Sequence, residues 1–369
     1  MAKLGIRTYI ETGRAKFSFD PLDPVIVSTD HIMPRNMAWY RQFVQHKAAL
    51  FRLGEAVMRL PPRHVLDLIA FCRFSLAQHG TLQVDDARLA GAWAGGPAGL
   101  AGLLQRLGFA LRQVAPDSPD SPLPIEALKL TDQAAPLPGM ETLYVVGDSH
   151  VRFLAGKDET TGYAGLERGI KLFRDMVPGF VGLHLGAGLA WQLGVRGSST
   201  AATEKIEYLL GESGAVPRGA RVVFSFGEVD CRAHVCQQAE RQGRPVEAIV
   251  EDICARVIAF LDGIAAQGFR PVAWGPIAPT WLDRIQDPRY PVYGSFEQRK
   301  AATLHFNATL ARLCAERGHG FLTVAPQLFR AEDGVTDKQF YCDPIHLSQN
   351  ARPFLYPQLD ALLGPLQLG

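Results

Sequence analysis

The chain has 369 residues, enough for one large domain or two, and its 47% hydrophobic and 20% charged content are typical of a globular protein. A formal net charge of +1 gives no electrostatic reason to expect a nucleic-acid or anionic-membrane partner. The amino terminus lacks a secretory apolar segment, and glycines and polar residues interrupt the most apolar long stretch, Leu89–Leu111. We therefore expect a cytoplasmic protein without a membrane span.

The first third of the chain has a helical pattern. Apolar residues at helical spacing predict helices over 37–60, 64–79 and 85–114. A tract rich in proline, serine and aspartate follows at 115–124 and predicts a linker. Residues 1–136 are thus predicted to be a mainly helical region of undefined role that ends in a linker.

From residue 137 to residue 369 the pattern alternates between short apolar runs and long amphipathic stretches. The apolar runs predict five strands: Leu143–Val146, Gly179–Leu185, Arg221–Phe226, Pro271–Trp274 and Gly320–Val324. The amphipathic stretches predict helices over 246–267, 295–317 and 351–363. Strands separated by helices form right-handed crossovers and a parallel sheet, so we expect a single α/β domain.

The first predicted strand runs directly into Gly147-Asp148-Ser149, and the helix-compatible segment 151–154 follows. In doubly wound sheets, ligands bind beyond the carboxyl ends of the strands. A serine at that place, near the free N–H groups of a helix start, suits attack on an acyl carbon. This stretch alone leaves open that Asp148 or Ser149 only caps the helix.

A second motif, Asp343-Pro344-Ile345-His346, begins 194 residues after Ser149 (343 − 149). A serine is a weak nucleophile at neutral pH and needs a base beside it. An imidazole serves as that base when a carboxylate fixes its tautomer and stabilises the imidazolium. We therefore predict Ser149 as the nucleophile, His346 as the base and Asp343 as its orienting group.

In this order, the two motifs resemble the SGNH (GDSL-type) hydrolase family. The resemblance covers residues 140–369 and implies a flavodoxin-like three-layer sandwich with a parallel sheet. It also implies hydrolysis of a small-molecule or glycan ester, in which an O-acyl group leaves a carbohydrate or similar polar molecule, without cofactor or metal. Family members place an oxyanion-binding glycine after the second strand. Gly186 matches it best and Gly188 second, although a plain turn glycine stays open at either position.

The segment after the third predicted strand departs from the family. Where the family has Gly-x-Asn-Asp, with the Asn donating to the oxyanion, this chain has Gly227-Glu228-Val229-Asp230, and valine cannot donate. The longer run, which continues through Cys231 and Arg232, resembles one found in a bacterial SGNH-like branch of poorly defined activity.

Two interpretations of this departure stay open. Arg232 or another nearby donor replaces the missing Asn, or hydrolytic power is lost. Since charged residues crowd this strand end, we predict that Glu228, Asp230 and Arg232 belong to the site. The alternative for Arg232 is a structural ion pair with Glu228 or with a neighbouring carboxylate.

Other classes fit less well. The chain has no Gly-x-Ser-x-Gly elbow, no Walker A loop and no His-Glu-x-x-His helix. Cys231 and Cys236 flank His234 but have no matching second pair, so we do not expect zinc. Two alternatives to the hydrolase remain: an O-acyltransferase that uses the same triad, and a non-catalytic ligand-binding module. The sequence does not define the oligomeric state.

Overall fold

A computed structural model describes residues 140–156, 164–173, 177, 179–288 and 290–364, together with five strands in the preceding part of the chain. The chain divides into two compact units. The first contains 1–137, 175–178 and 368, and the second contains 138–174, 179–367 and 369. Each unit is described by itself below.

Apart from Val177, the described residues of the first unit lie in strands. β1 (Arg7–Glu11) and β2 (Arg14–Ser18) form an antiparallel pair. β3 (Thr81–Val84), β4 (Phe109–Gln113) and β5 (Leu123–Leu130) form an antiparallel sheet in the order β3-β5-β4. The helices predicted over 37–60 and 64–79 lie outside the described residues.

Two predictions for this unit are wrong in part. Residues 109–113 were predicted as helix and form β4, because cross-strand pairing with β5 overrides a helical pattern that five residues barely specify. The predicted linker at 115–124 ends inside β5, which begins at Leu123. Pro124 pairs with Gln83 there, and proline is tolerated among the first residues of a strand.

The second unit is a mixed α/β structure around a mostly parallel sheet. In chain order, its strands are β6 (Leu143–Gly147), β7 (Ala164–Gly165), β8 (Lys171–Phe173), β9 (Phe180–His184), β10 (Arg221–Ser225), β11 (Arg270–Trp274) and β12 (Gly320–Leu322). They lie in the order β12-β11-β10-β6-β9-β8-β7. The five strands predicted from the sequence are present and mutually parallel, whereas β8 and β7 extend the sheet antiparallel beyond β9.

Both faces of this sheet are buried. Val145 and Val146 are neighbours on β6 and point to opposite faces, yet both are fully buried. The same holds for Val222 and Val223 on β10. A strand that is covered on both sides must be apolar at every position, and this explains the continuous apolar run of β6.

Six α-helices lie in the described part of this unit: α1 (Val151–Ala155), α2 (Ala202–Leu210), α3 (Val235–Gln242), α4 (Val246–Ala266), α5 (Phe296–Arg317) and α6 (Tyr356–Leu363). The predictions over 246–267 and 295–317 are confirmed as α4 and α5. The helix predicted over 351–363 is a 3-10 segment, Gln349–Phe354, followed by α6, because Pro353 removes an N–H donor. Of the helices in the described residues, none is sufficiently long and apolar to cross a bilayer.

The order of the strands sets the location of the site. Counted along the chain from β6, the parallel strands lie in the order 2-1-3-4-5, which is the flavodoxin-like order. The chain leaves β6 towards β9 on one side and returns to β10 on the other. The carboxyl end of β6 is therefore the point where the winding direction changes and where a crevice opens.

Gly147 ends β6 at this point, and its backbone lies close to β10. A Cβ built on Gly147 would lie 2.1 Å from the carbonyl oxygen of Ser225. We expect Gly147→Ala to destabilise the fold by about 1–3 kcal/mol, because the two strands must move apart to admit the methyl group. Urea denaturation measures the change.

The matched control is Gly263→Ala on α4, where an added Cβ meets nothing within 4 Å. Alanine favours a helix, so we expect this variant to gain about 0.5–1 kcal/mol of stability. Equal stability of the two variants would contradict the close approach of β6 and β10.

Candidate active site

Ser149 lies two residues beyond β6, in the turn that leads into α1, and its side chain is partly exposed. Its Oγ lies 2.7 Å from Nε2 of His346, which follows β12 by more than twenty residues. Nδ1 of His346 lies 2.7 Å from Oδ2 of Asp343. If Nδ1–H donates to the carboxylate, Nε2 carries the lone pair that accepts the proton of the Ser149 hydroxyl. The structure thus brings together the three residues that the sequence predicts as nucleophile, base and orienting group.

The loop that carries Asp343 and His346 is built by Asp343 itself. Its Oδ1 accepts hydrogen bonds from the backbone N–H groups of Ile345 and His346, both at 2.8 Å. Aspartate commonly closes such local turns through its side chain. The same carboxylate therefore shapes the backbone with one oxygen and orients the imidazole with the other.

Beyond this loop, Arg352 fastens the chain to α1. Its Nη1 donates to the carbonyl oxygens of Phe153 and Leu154, each at 3.0 Å, and the side chain is almost fully buried. Those carbonyls belong to the short helix that follows Ser149. The segments that carry the serine and the histidine are thus joined directly.

The electrostatics of the pair favour a neutral base beside an ionised carboxylate. Burial lowers the pKa of His346 to about 4, and the Arg152 and His150 charges act in the same direction, although Asp343 opposes them. Burial raises the pKa of Asp343, but the hydrogen bond from His346 outweighs it and leaves that pKa well below its usual value. At neutral pH, His346 is therefore ready to accept a proton.

The strand ends around Ser149 are fixed by backbone hydrogen bonds. Asp148 N–H donates to the Ser225 carbonyl at 3.2 Å, and Leu185 N–H donates to the Gly147 carbonyl at 2.8 Å. Arg152 Nε donates to the carbonyl of Ser149 at 3.0 Å. The backbone around Ser149 is therefore held from both neighbouring strands and from α1.

Gly186 lies directly after this strand contact, in the loop that follows β9. It has a φ of +108°, a conformation that favours glycine, and it is partly exposed. Gly188 is buried, and a Cβ there would lie 2.8 Å from the ring of Phe226. Packing against this ring requires a glycine at 188, whereas the partial exposure of Gly186 is compatible with the predicted role as an oxyanion donor.

Asp230 holds the same loop in place. Its carboxylate is fully buried and accepts hydrogen bonds from the backbone N–H groups of Ala190 and Trp191, at 2.7 and 3.2 Å. Burial raises the pKa of Asp230 to about 6, although these two hydrogen bonds oppose the increase. Asp230 therefore has a structural role. It joins the loop that contains Gly186 and Gly188, which we call the glycine loop, to the segment that follows β10.

Arg232 is engaged within the protein. Its Nε donates to Oε1 of Glu228 at 2.7 Å, and its Nη1 donates to the carbonyl of Pro291. Both side chains of the ion pair are buried. These contacts fit the alternative that Arg232 forms a structural ion pair. They give no support to Arg232 as a replacement for the missing Asn. Val229 is partly exposed where the family has that donor.

Sequence reasoning missed two aromatic neighbours of His346. The His150 ring lies 5.2 Å from the His346 ring, and the Tyr290 ring contacts it edge-on at 6.2 Å. His150 is buried, and its Nε2 lies 3.5 Å from Oε2 of Glu228. The only signal for His150 was its position next to the nucleophile, and Tyr290 had none.

The cysteines give no sign of a metal site. Cys231, Cys236, Cys254, Cys314 and Cys342 are free thiols. In the part of the chain that the structure describes, no group of three or more His, Cys, Asp or Glu residues is placed to hold a metal ion.

Comparisons with known proteins give only distant likenesses. No protein-family model and no curated protein matches the chain. A variant of an acetyl-xylooligosaccharide esterase from Geobacillus stearothermophilus is 11% identical, with a TM-score of 0.37 over 61% of this chain and 94% of its own. The OSK domain of Drosophila Oskar is 12% identical, with a TM-score of 0.35 over 59% of this chain and 86% of its own. A carbohydrate acetylesterase from Sinorhizobium meliloti is 12% identical, with a TM-score of 0.32 over 61% and 97%.

The state of His346 predicts a pH dependence. Because the pKa of His346 is lowered from 6.5 to about 4, the base stays neutral until the pH falls close to 4. We expect the rate at which a fluorophosphonate modifies Ser149 to be constant from pH 8 to about 5.5 and to fall below it. Circular dichroism at each pH checks that the protein stays folded. A midpoint near 6.5 would contradict the description of His346 as buried and neutral.

The buried ion pair predicts a loss of stability. We expect Arg232→Met to lower the free energy of unfolding by about 3 kcal/mol, because it leaves the buried Glu228 without its guanidinium. The control is Arg312→Met, which breaks an ion pair of the same spacing on the surface, with Arg312 60% and Glu316 54% exposed. It should cost less than about 1 kcal/mol. Equal losses in urea denaturation would show that the Arg232 pair is not buried.

Proposed function

We propose that the chain is a serine-dependent ester hydrolase that removes an O-acyl group through an acyl-enzyme on Ser149. The observation that carries the proposal is the hydrogen-bonded series of Ser149, His346 and Asp343, with 2.7 Å at each of its two links. A serine that merely capped a helix would have no need of this histidine. The series lies at the switch point of the sheet, where doubly wound folds bind ligands.

The first half-reaction forms the acyl-enzyme. Ser149 Oγ attacks the ester carbonyl carbon while His346 Nε2 takes the hydroxyl proton, and Asp343 stabilises the resulting imidazolium. The carbonyl π electrons move onto the oxygen, and the N–H groups of Ser149 and Gly186 are the proposed donors to it. When the tetrahedral species collapses, the C–O bond to the alcohol breaks, and His346 returns the proton to the leaving oxygen.

In the second half-reaction, water repeats the attack. His346 removes a proton from the water as its oxygen bonds to the acyl carbon, and the acid leaves as Ser149 regains its proton. Neither step requires a cofactor. The substrate class comes from the family resemblance alone, which favours a small O-acyl group on a carbohydrate or similar polar molecule.

One observation favours a second candidate. Val229 takes the place of a donor whose loss costs about 3–4 kcal/mol of transition-state stabilisation in studied enzymes. A non-catalytic module that binds an ester in the same cleft would tolerate this loss. An O-acyltransferase would keep the acyl-enzyme and use a second alcohol in place of water, so an added alcohol would compete with hydrolysis.

The proposal is tested by covalent labelling. We expect a fluorophosphonate probe to modify Ser149 in the folded protein, because only an activated serine attacks the phosphorus. Peptide mass spectrometry identifies the modified residue. Ser149→Ala should remain unlabelled, whereas Ser225→Ala, which removes a buried hydroxyl on the neighbouring strand, should still be labelled. Labelling elsewhere, or none, would favour the binding module.

The roles of the other two residues are tested by turnover of an aryl acetate. We expect His346→Ala and Asp343→Asn each to lower kcat by about 10²–10⁴-fold, because the first removes the base and the second its orienting charge. Thermal unfolding of each variant separates a catalytic effect from a loss of structure. A fully active His346→Ala variant would overturn the triad.

A further inference from the structure

Four charged residues are buried together beneath Ser149, and we call them the charge cluster: Asp148, His150, Glu228 and Arg232. None is more than 7% exposed. Glu228 is their centre, because its Oε1 accepts from Arg232 Nε at 2.7 Å and its Oε2 lies 3.5 Å from His150 Nε2. Asp148 Oδ1 accepts from the backbone N–H of His150 at 2.9 Å.

With Asp148 and Glu228 both ionised, the charge cluster is balanced when His150 is protonated, because Arg232 supplies only one of the two positive charges. The Arg152 guanidinium, which lies outside the charge cluster, acts in the opposite direction and lowers the pKa of His150. A buried charge without a partner is costly, so an imidazolium at His150 is the favoured way to balance the second carboxylate. Burial lowers the pKa of His150, but Asp148 and Glu228 outweigh it and raise the pKa above its ordinary value.

Glu228 itself is well suited to hold a cation. Burial raises its pKa, but the Arg232 charge and the His150 contact reverse this effect and lower the pKa to about 2. The pKa of Asp148, in contrast, is raised by burial to about 6. Glu228 is thus the permanent anion of the charge cluster.

The imidazolium would lie directly beside the base of the triad. The His150 and His346 rings are 5.2 Å apart, with an interplanar angle of 41°. The other groups that face His346 are the Asp343 carboxylate, the Arg152 guanidinium, the His184 imidazole and the Tyr290 ring. Burial and neighbouring cations lower the pKa of His184 to about 4, so His184 is neutral near pH 7. His150 and Arg152 are therefore the two cations that oppose protonation of His346.

We propose that His150 is a positioning residue that carries a permanent positive charge, held by Glu228 against the ring of His346, so that His346 stays neutral and able to act as a base in acidic solution. The proposal rests on the proposed function in assigning His346 as the base. It deepens that function, because it adds the charge of His150 to burial and to Arg152 as a cause of the low pKa of His346.

The charge of His150 is measured in the wild-type protein by NMR, through the pH dependence of the imidazole C–H signals. Signals that disappear in His150→Gln and in His346→Gln assign the two rings. We expect the protonation midpoint of His150 to lie above the ordinary 6.5 of a histidine, and His346 to remain neutral down to about pH 5. A protonation midpoint for His150 at or below 6.5 would overturn the proposal. The NMR titration does not depend on any enzymatic activity of the protein.

The effect on the base is measured with His150→Gln, which keeps a polar side chain but removes the charge. We expect the protonation midpoint of His346 to rise by about one to two pH units, since a unit charge at about 5 Å has an effect of that order. Glu228→Gln should raise it in the same direction, because His150 loses the anion that keeps it charged. An unchanged His346 midpoint in His150→Gln would overturn the proposal.

The matched control is His319→Gln. The side chain of His319 is also buried beside a carboxylate, with its Nε2 2.8 Å from Asp262. However, His319 precedes β12 and so lies at the amino ends of the parallel strands, whereas the site lies at their carboxyl ends. Its loss should leave the His346 midpoint unchanged. The rate of Ser149 labelling, followed against pH in the same variants, should fall with the same midpoints. If Ser149 is never labelled but the His346 midpoint shifts as expected, the proposed function fails and the charged role of His150 stands.

Discussion

The close approach of β6 to its two neighbours is the constraint on which the site depends. Gly147 has no side chain, so the Ser225 carbonyl on β10 comes near enough to accept from Asp148, while β9 is joined through Leu185. The next residue, Ser149, is thereby fixed between the glycine loop on one side and the Glu228 segment on the other. A larger residue at position 147 would move Ser149, the glycine loop and the Glu228 segment apart.

The close approach of β6 to its neighbours also explains why many polar side chains are buried next to Ser149. The turn after β6 and the turn after β10 place two carboxylates side by side, and neither has access to water. Cations must then be supplied from within the fold, by Arg232 and His150. The segment after β10 thus provides Glu228, the buried carboxylate that Arg232 and His150 both contact.

The sequence predicted what local patterns determine. The parallel strands are long apolar runs, and α4 has a continuous apolar stripe, so both were identified. Helix α3 was missed because few of its residues are apolar, and it is held by contacts made elsewhere in the fold. The spacing of Asp343 and His346 was sufficient to predict an imidazole that is oriented by a carboxylate. The ion pair of Glu228 and Arg232 had the four-residue spacing of one helical turn, but the structure was needed to show that it is buried. The distant partners of His150, Glu228 and His346, lie in two other segments, and no local pattern predicts them.

The attachment of Arg352 to α1 has a consequence for the order of biosynthesis. Ser149 and His346 are 197 residues apart, and at ordinary rates of translation the histidine is made about 10–40 s after the serine. Arg352 joins the segment that follows His346 to α1. In a nascent chain, Ser149 therefore lacks its hydrogen bond with His346 until that segment has been made and has docked against α1.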